Sequence, residues 1–136
     1  MKKILFVCEY NACRSQMAEG LARHLFPYYN IHSAGLYPGA LHEMTIGVMR
    51  EIGIDITSQR SKQLEEILSM SFDHVVILAQ PAIEPTLKIN TAQRLEWLMP
   101  DPALASEERE EIMNAMREAR DLIKKKLEEL YYETSL

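Results

Sequence analysis

The chain opens on a short apolar run, "KKILFVC" at 2–8, and then changes period. In "SQMAEGLARHLF" (15–26), Met17, Ala18, Leu21 and Leu25 recur at helical spacing, with Pro27 just past the end. The first pattern predicts a buried strand and the second an amphipathic helix. "NIHSAGLYPG" (30–39) predicts a short strand that breaks down into glycine and proline. "HEMTIGVMREIG" (42–53) predicts a helix closed by Gly53, followed by an extended link, "IDITSQRS". A shorter helix is expected over 62–70, a strand over "DHVVILA" (73–79), and a loop with a helical turn over 80–93. "RLEWLM" (94–99) reads as the fourth strand, with Trp97 packed against a helix. A long helix then runs from about Ser106 to about Tyr131, with Glu107, Glu108 and Glu110 early and Lys124 to Lys126 late, as its dipole favours. Ile112, Met116, Ala119, Ile123, Leu127 and Leu130 form the stripe that docks it, and Tyr131 and Tyr132 fall to a mobile end.

Strands alternating with helices imply right-handed crossovers and a parallel sheet. The expectation is one α/β domain over 1–136, with four parallel strands in the order 2-1-3-4 and helices on both faces. Such sheets bind ligands beyond the carboxyl ends of their strands.

Composition narrows the function. The formal charge of −5 supplies no basic footprint for nucleic acid. The N-terminal apolar run is too short for a signal peptide, and nothing approaches a membrane span. Two cysteines are too few for a disulfide scaffold, so the expected location is a reducing cytoplasm. No cofactor, metal, nucleic-acid or membrane partner is expected.

Both cysteines fall in one segment, "CEYNACRSQMAEG" (8–20), between the first strand and the first helix. Zinc would need more ligands than Cys8 and Cys13, and no second Cys or His pair follows. A structural disulfide fits poorly at the end of a cytoplasmic core strand. A reactive thiol accounts for more of the residues. A loop of this length at a helix N-terminus can turn its N–H groups inward as an anion-binding nest, built here from Glu9, Tyr10, Asn11, Ala12, Cys13, Arg14 and Ser15. Helix N-termini and cationic neighbours lower cysteine pKa values to between roughly 3.5 and 7.5, favouring a thiolate at Cys8. Ser15 would donate to the sulfur, and Arg14 would fork two oxygens of a tetrahedral oxyanion. Asn11 suits a tight bend because asparagine tolerates positive φ. Tyr10 is expected at negative φ with its ring at the mouth of the site.

"VCEYNACRSQMAEG" resembles the C-x5-R-S loop of the low-molecular-weight protein tyrosine phosphatase and arsenate reductase superfamily. The similarity continues in order through "SAG" (33–35), "MREIGIDI" (49–56), "DHVVIL" (73–78) and "DPALA" (101–105). The resemblance implies a phosphocysteine mechanism. Cys8 would be the nucleophile, and Arg14 with the loop N–H groups would hold the transferring oxygens. Asp101 by itself reads as a turn residue before proline; the resemblance makes it the general acid and then the base. Tyrosine phosphatases commonly place two tyrosines after this Asp-Pro. Here Ala103 and Leu104 stand there, closer to the arsenate reductase branch.

The loop cannot choose between phosphate and arsenate, but the electrons can. Thioredoxin-coupled reductases place two further cysteines after the third strand, and "LAQPAIEPTLK" (78–88) has none. Hydrolysis needs only Cys8, Arg14, Ser15 and Asp101. The sequence therefore puts a phosphomonoester hydrolase first, acting on aryl phosphate or a phosphotyrosine protein. Arsenate reduction by an external small thiol or by Cys13 stands second, and a non-catalytic oxyanion or redox sensor third. Cys13 is the redox candidate, able to trap an oxidised Cys8 as a disulfide. Tyr37 is a candidate for the rim, while His24, His32, His42 and His74 lack metal spacing and read as surface or core residues.

Overall fold

In a computed structural model describing residues 1–135, strands β1 (Lys3–Cys8), β2 (Asn30–Gly35), β3 (Ser71–Ile77) and β4 (Asn90–Glu96) form one parallel sheet in the order β2-β1-β3-β4. Helices α1 (Arg14–Leu25), α2 (Glu43–Arg50) and α3 (Arg109–Ser135) connect and cover it. The expected single α/β domain and strand order are therefore met.

Alternate residues of β1 feed two cores. Ile4 and Phe6 pack with Met17 and Leu21 of α1, Val48 and Met49 of α2, and Met116, Ile123 and Leu127 of α3. Leu5 and Val7 face the other way, against Leu64, Ile67, Ala82 and Ile89. Each face of β1 thus meets its own core, so its side chains are buried on both faces and the run from Ile4 to Cys8 has no polar gap.

The second face corrects one expectation. Over 62–70 only Leu64–Glu66 is helical, as a 3-10 turn capped reciprocally by Gln63 and Glu66. A tight turn brings the side chains three apart onto one side. Leu64 and Ile67 thus both bury against the sheet. Further 3-10 turns at Gln80–Ala82 and Pro85–Lys88 cover the rest.

The fourth strand is shifted to Asn90–Glu96 from the expected 94–99. It is an edge strand with mostly exposed or half-buried side chains, so its start, "NTAQ", carries no apolar signal. Trp97 follows the strand, half-buried, with the Lys126 ammonium 5.9 Å from its ring centre. Tyr131 and Tyr132 lie within α3, and Tyr131 meets Phe26 edge-on at 5.6 Å, so the expected mobile end is instead packed helix.

The end of α2 is tied to α3 through Glu51. Arg117 Nε and Nη2 and Arg120 Nη1 all donate to its carboxylate, at 2.7 to 3.1 Å. Hydrogen bonds from Arg117 lead in holding Glu51 down, to about 2. A carboxylate depressed in the fold stabilises it above its ordinary pKa, and that contribution disappears as pH falls through the folded value. Glu51→Gln is therefore expected to make thermal stability less sensitive to pH between about 4.5 and about 2, as melting curves across that range would show.

Candidate active site

The loop 9–13 leaves β1 at Cys8 and enters α1 at Arg14, beyond the carboxyl end of the sheet. Its carbonyls are taken from outside. Glu9 O accepts from Leu36 N (2.7 Å) and Tyr37 N (2.9 Å), and Ala12 O from His42 N (3.1 Å). Tyr10 O accepts from Ser61 Oγ (3.0 Å) and Asn11 O from Gln16 Nε2 (2.9 Å). In a trans peptide C=O and N–H point opposite ways, so turning these oxygens outward aims the following N–H groups inward. The first turn of α1 adds its own unpaired donors. Asn11 makes the bend at φ 53 and is the one non-glycine residue with positive φ among the described residues. Gly35 of β2 supports it from below: a Cβ there would lie 2.6 Å from Asn11 N, too close for any side chain.

A buried polar chain orients the sulfur. Lys62 N–H donates to Asn11 Oδ1 (2.8 Å), which fixes the amide so that Nδ2 donates to Ser15 Oγ (2.7 Å) and Ser33 Oγ (2.9 Å). The Ser33 hydroxyl in turn donates to the Glu19 carboxylate. Ser15 Oγ has only one other partner among the described residues, Cys8 Sγ at 2.8 Å. The Ser15 hydroxyl therefore donates to the sulfur, which is presented as an acceptor. Glu19 is buried and paired with Arg23 (2.9 Å) and Lys62 Nζ (3.5 Å), and burial pushes the Lys62 ammonium below its ordinary pKa. Ser33 and Lys62 are brought to the loop from remote elements, and only "SAG" marks one of them; Glu19 lies within the quoted segment, on α1, but its link to the loop runs through Ser33 and is invisible there.

Arg14 is buried, and its Nη1 donates to Met99 O at 2.8 Å. Its Nη2 stands 3.6 Å from Glu9 Oε1 and 3.9 Å from Asp101 Oδ2. Asp101 is held by its other oxygen, which accepts from Ala103 N (3.0 Å) as the cap of the 3-10 turn Pro102–Leu104. Proline at 102 keeps Asp101 extended, at ψ 114. Cys8, Arg14 and Asp101, separated by up to 93 positions in the chain, thus line one pocket of about 410 Å³. Tyr10, Gly39, Ala40, His42 and Leu104 form its mouth. Tyr10 is 43% exposed and packs on Tyr37 with ring centres 5.6 Å apart. His42 reaches this wall by capping α2, its Nδ1 accepting from Met44 N at 3.1 Å, a place that its isolated position in the sequence does not reveal.

Cys13 lines the same pocket but its thiol is pushed up to about 12, chiefly by burial. The Thr45 hydroxyl, buried and without a well-formed hydrogen bond, is the foremost group acting the other way. A thiol so far from ionising is a poor nucleophile near neutrality. Iodoacetamide at neutral pH is expected to leave Cys13 unlabelled until the chain is unfolded, as peptide mass spectrometry would show. Rapid labelling of Cys13 in the folded protein would contradict this.

Among the described residues no cluster of His, Cys, Asp and Glu could hold a metal, and no helix is long and apolar enough to cross a membrane.

A parallel α/β sheet whose first strand ends in an inward-turned amide loop, with a cysteine at its base and a buried arginine beside it, is an arrangement able to accept a tetrahedral oxyanion. The chain belongs to the low molecular weight phosphotyrosine protein phosphatase family, whose pattern matches residues 3–136. It is 36% identical to an arsenate reductase of Halalkalibacterium halodurans, over 93% of this chain and 92% of that one. It is 34% identical to a glutaredoxin arsenate reductase of Synechocystis sp., over 96% of each. A solved structure described as an arsenate reductase in the phosphate binding state superposes with a TM-score of 0.81 at 32% identity, over 98% of both chains.

Proposed function

We propose that this enzyme reduces arsenate, using Cys8 as nucleophile and an external thiol as the source of electrons. The carrying observation is the cradle itself, with Cys8, Arg14 and Asp101 on one pocket. The names of the relatives favour arsenate over a phosphate ester. The Cys8 thiolate attacks arsenic while Arg14 and the loop N–H groups hold the remaining oxygens. Asp101 gives its proton to the departing hydroxide, which leaves as water. A thiolate from outside then attacks the Cys8 sulfur, the sulfur–arsenic bond breaks, and its electron pair stays on arsenic as arsenite. Cys8 is left in a mixed disulfide, and a second external thiol restores it and leaves as the partner of a disulfide. Two electrons are transferred, both from thiols.

The source is external because the chain has two cysteines, and Cys13 is held as a buried thiol. Glutathione or a glutaredoxin, abundant in a reducing cytoplasm, fits that role.

Phosphomonoester hydrolysis is the second reading, favoured by Asp101 standing over the same pocket as Cys8. There Asp101 would protonate the ester oxygen and then activate the water that cleaves phosphocysteine. Purified protein should be given arsenate with glutathione, and separately p-nitrophenyl phosphate. Arsenite formed in proportion to thiol oxidised is the expected result. Phosphate release without any arsenite would restore the hydrolase as the function.

A further inference from the structure

The loop counts Glu9 among its anion-holding residues through the backbone, yet the side chain places a carboxylate beside the group that receives the anion. Its backbone is pinned by Leu36 and Tyr37, so the side chain starts from a fixed point. Its Oε1 lies 3.6 Å from Arg14 Nη2, and Asp101 Oδ2 lies 3.9 Å from the same nitrogen. One guanidinium is therefore shared by two carboxylates before any oxyanion arrives, and both are largely shielded, at 27% and 17% exposure. Glu9 lines two grooves beyond the pocket, and among the described residues the charged side chains that share them are Arg14, Asp101 and Glu118 of α3. The positive charge of the cradle is outnumbered on this side.

We propose that the Glu9 carboxylate is a charge filter, selecting singly charged oxyanions over doubly charged ones. Phosphate and arsenate lose their second proton near neutrality, so the two forms compete where the enzyme works. Arg14 and the loop amides attract both. Glu9 adds a fixed repulsion that grows with the second negative charge. At a few ångströms and an effective dielectric of about 20, such a repulsion reduces affinity for the dianion by about tenfold, after allowance for partial solvent exposure. The filter would keep the monoanion, which carries two hydroxyls where the dianion carries one. The inference deepens the oxyanion-processing role and rests on that reading.

An ion pair that merely positions Arg14 predicts the opposite sign. Losing the carboxylate would then loosen the guanidinium and weaken anion binding. Calorimetric titration with inorganic phosphate, at about pH 6 and about pH 8 at constant ionic strength, separates the two. Wild type should bind more weakly at the higher pH. Glu9→Gln should bind about tenfold more tightly than wild type at the higher pH and about threefold more tightly at the lower, because a single negative charge feels half the repulsion. Glu9→Asp, which keeps the charge, should retain the wild-type pH slope, and thermal melting of each variant checks that it folds. Weaker or unchanged binding by folded Glu9→Gln at the higher pH would overturn the filter and leave the oxyanion loop intact. Absence of phosphate binding by wild type at both pH values would overturn the oxyanion reading and the filter with it.

Discussion

Cys8→Ser is expected to abolish turnover of arsenate and of p-nitrophenyl phosphate, with a loss of about 10⁴-fold or more in kcat. The serine oxygen stays protonated near neutrality and forms no labile bond that an external thiol could attack. The cradle should survive, because its amides and Arg14 are held by Glu9 O, Ala12 O and Met99 O and not by the sulfur. Phosphate should accordingly still raise the melting temperature of the variant, by mass action on the folded state. Loss of turnover with retained phosphate binding assigns bond formation to Cys8. Turnover within tenfold of wild type would remove the covalent mechanism in both its reductive and hydrolytic forms. Loss of turnover with unchanged partner binding is also what separates an enzyme from an oxyanion sensor, which has no rate to lose.

Asp101→Asn should cost about 10²- to 10⁴-fold in kcat, with KM changed far less. The asparagine retains an oxygen for Ala103 N, so the cap of the 3-10 turn, and with it the backbone placement, is preserved. What disappears is the proton. The deficit in the bond-forming step, read for p-nitrophenyl phosphate as the first burst of p-nitrophenol, should shrink because that leaving group departs without protonation, and remain full for arsenate, which must expel hydroxide. An equal loss for both would mean that Asp101 acts on Arg14, 3.9 Å away, by holding it in place.

The legible parts of the fold are those where one residue pattern had one physical outcome. The run 4–8 is buried on both faces and reads as a central strand; the stripe from Ile112 to Leu130 reads as a docked helix. The edge strand failed because half its side chains face water, so "NTAQ" pairs with β3 through backbone groups that the side chains do not announce. The helix expected over 62–70 failed because Leu64 and Ile67 satisfy a 3-10 turn as well as an α-helix, and the space above the sheet takes the tighter form. The candidate site shows the same division. Cys8, Asn11, Arg14 and Ser15 lie in one short segment and are readable together; Ser33, Lys62, His42 and the Met99 carbonyl reach the loop only through tertiary contacts, and Glu19 through Ser33.

By itself the sequence determined the alternation of strands and helices, the loop that joins β1 to α1 and the two cysteines in it, because each of these depends on neighbours close along the chain. Tertiary structure alone decided that Cys13 is a buried, reluctant thiol and that Glu9 shares Arg14 with Asp101. Burial and charge pairing depend on what the remote chain brings within a few ångströms, and local pattern carries no record of that.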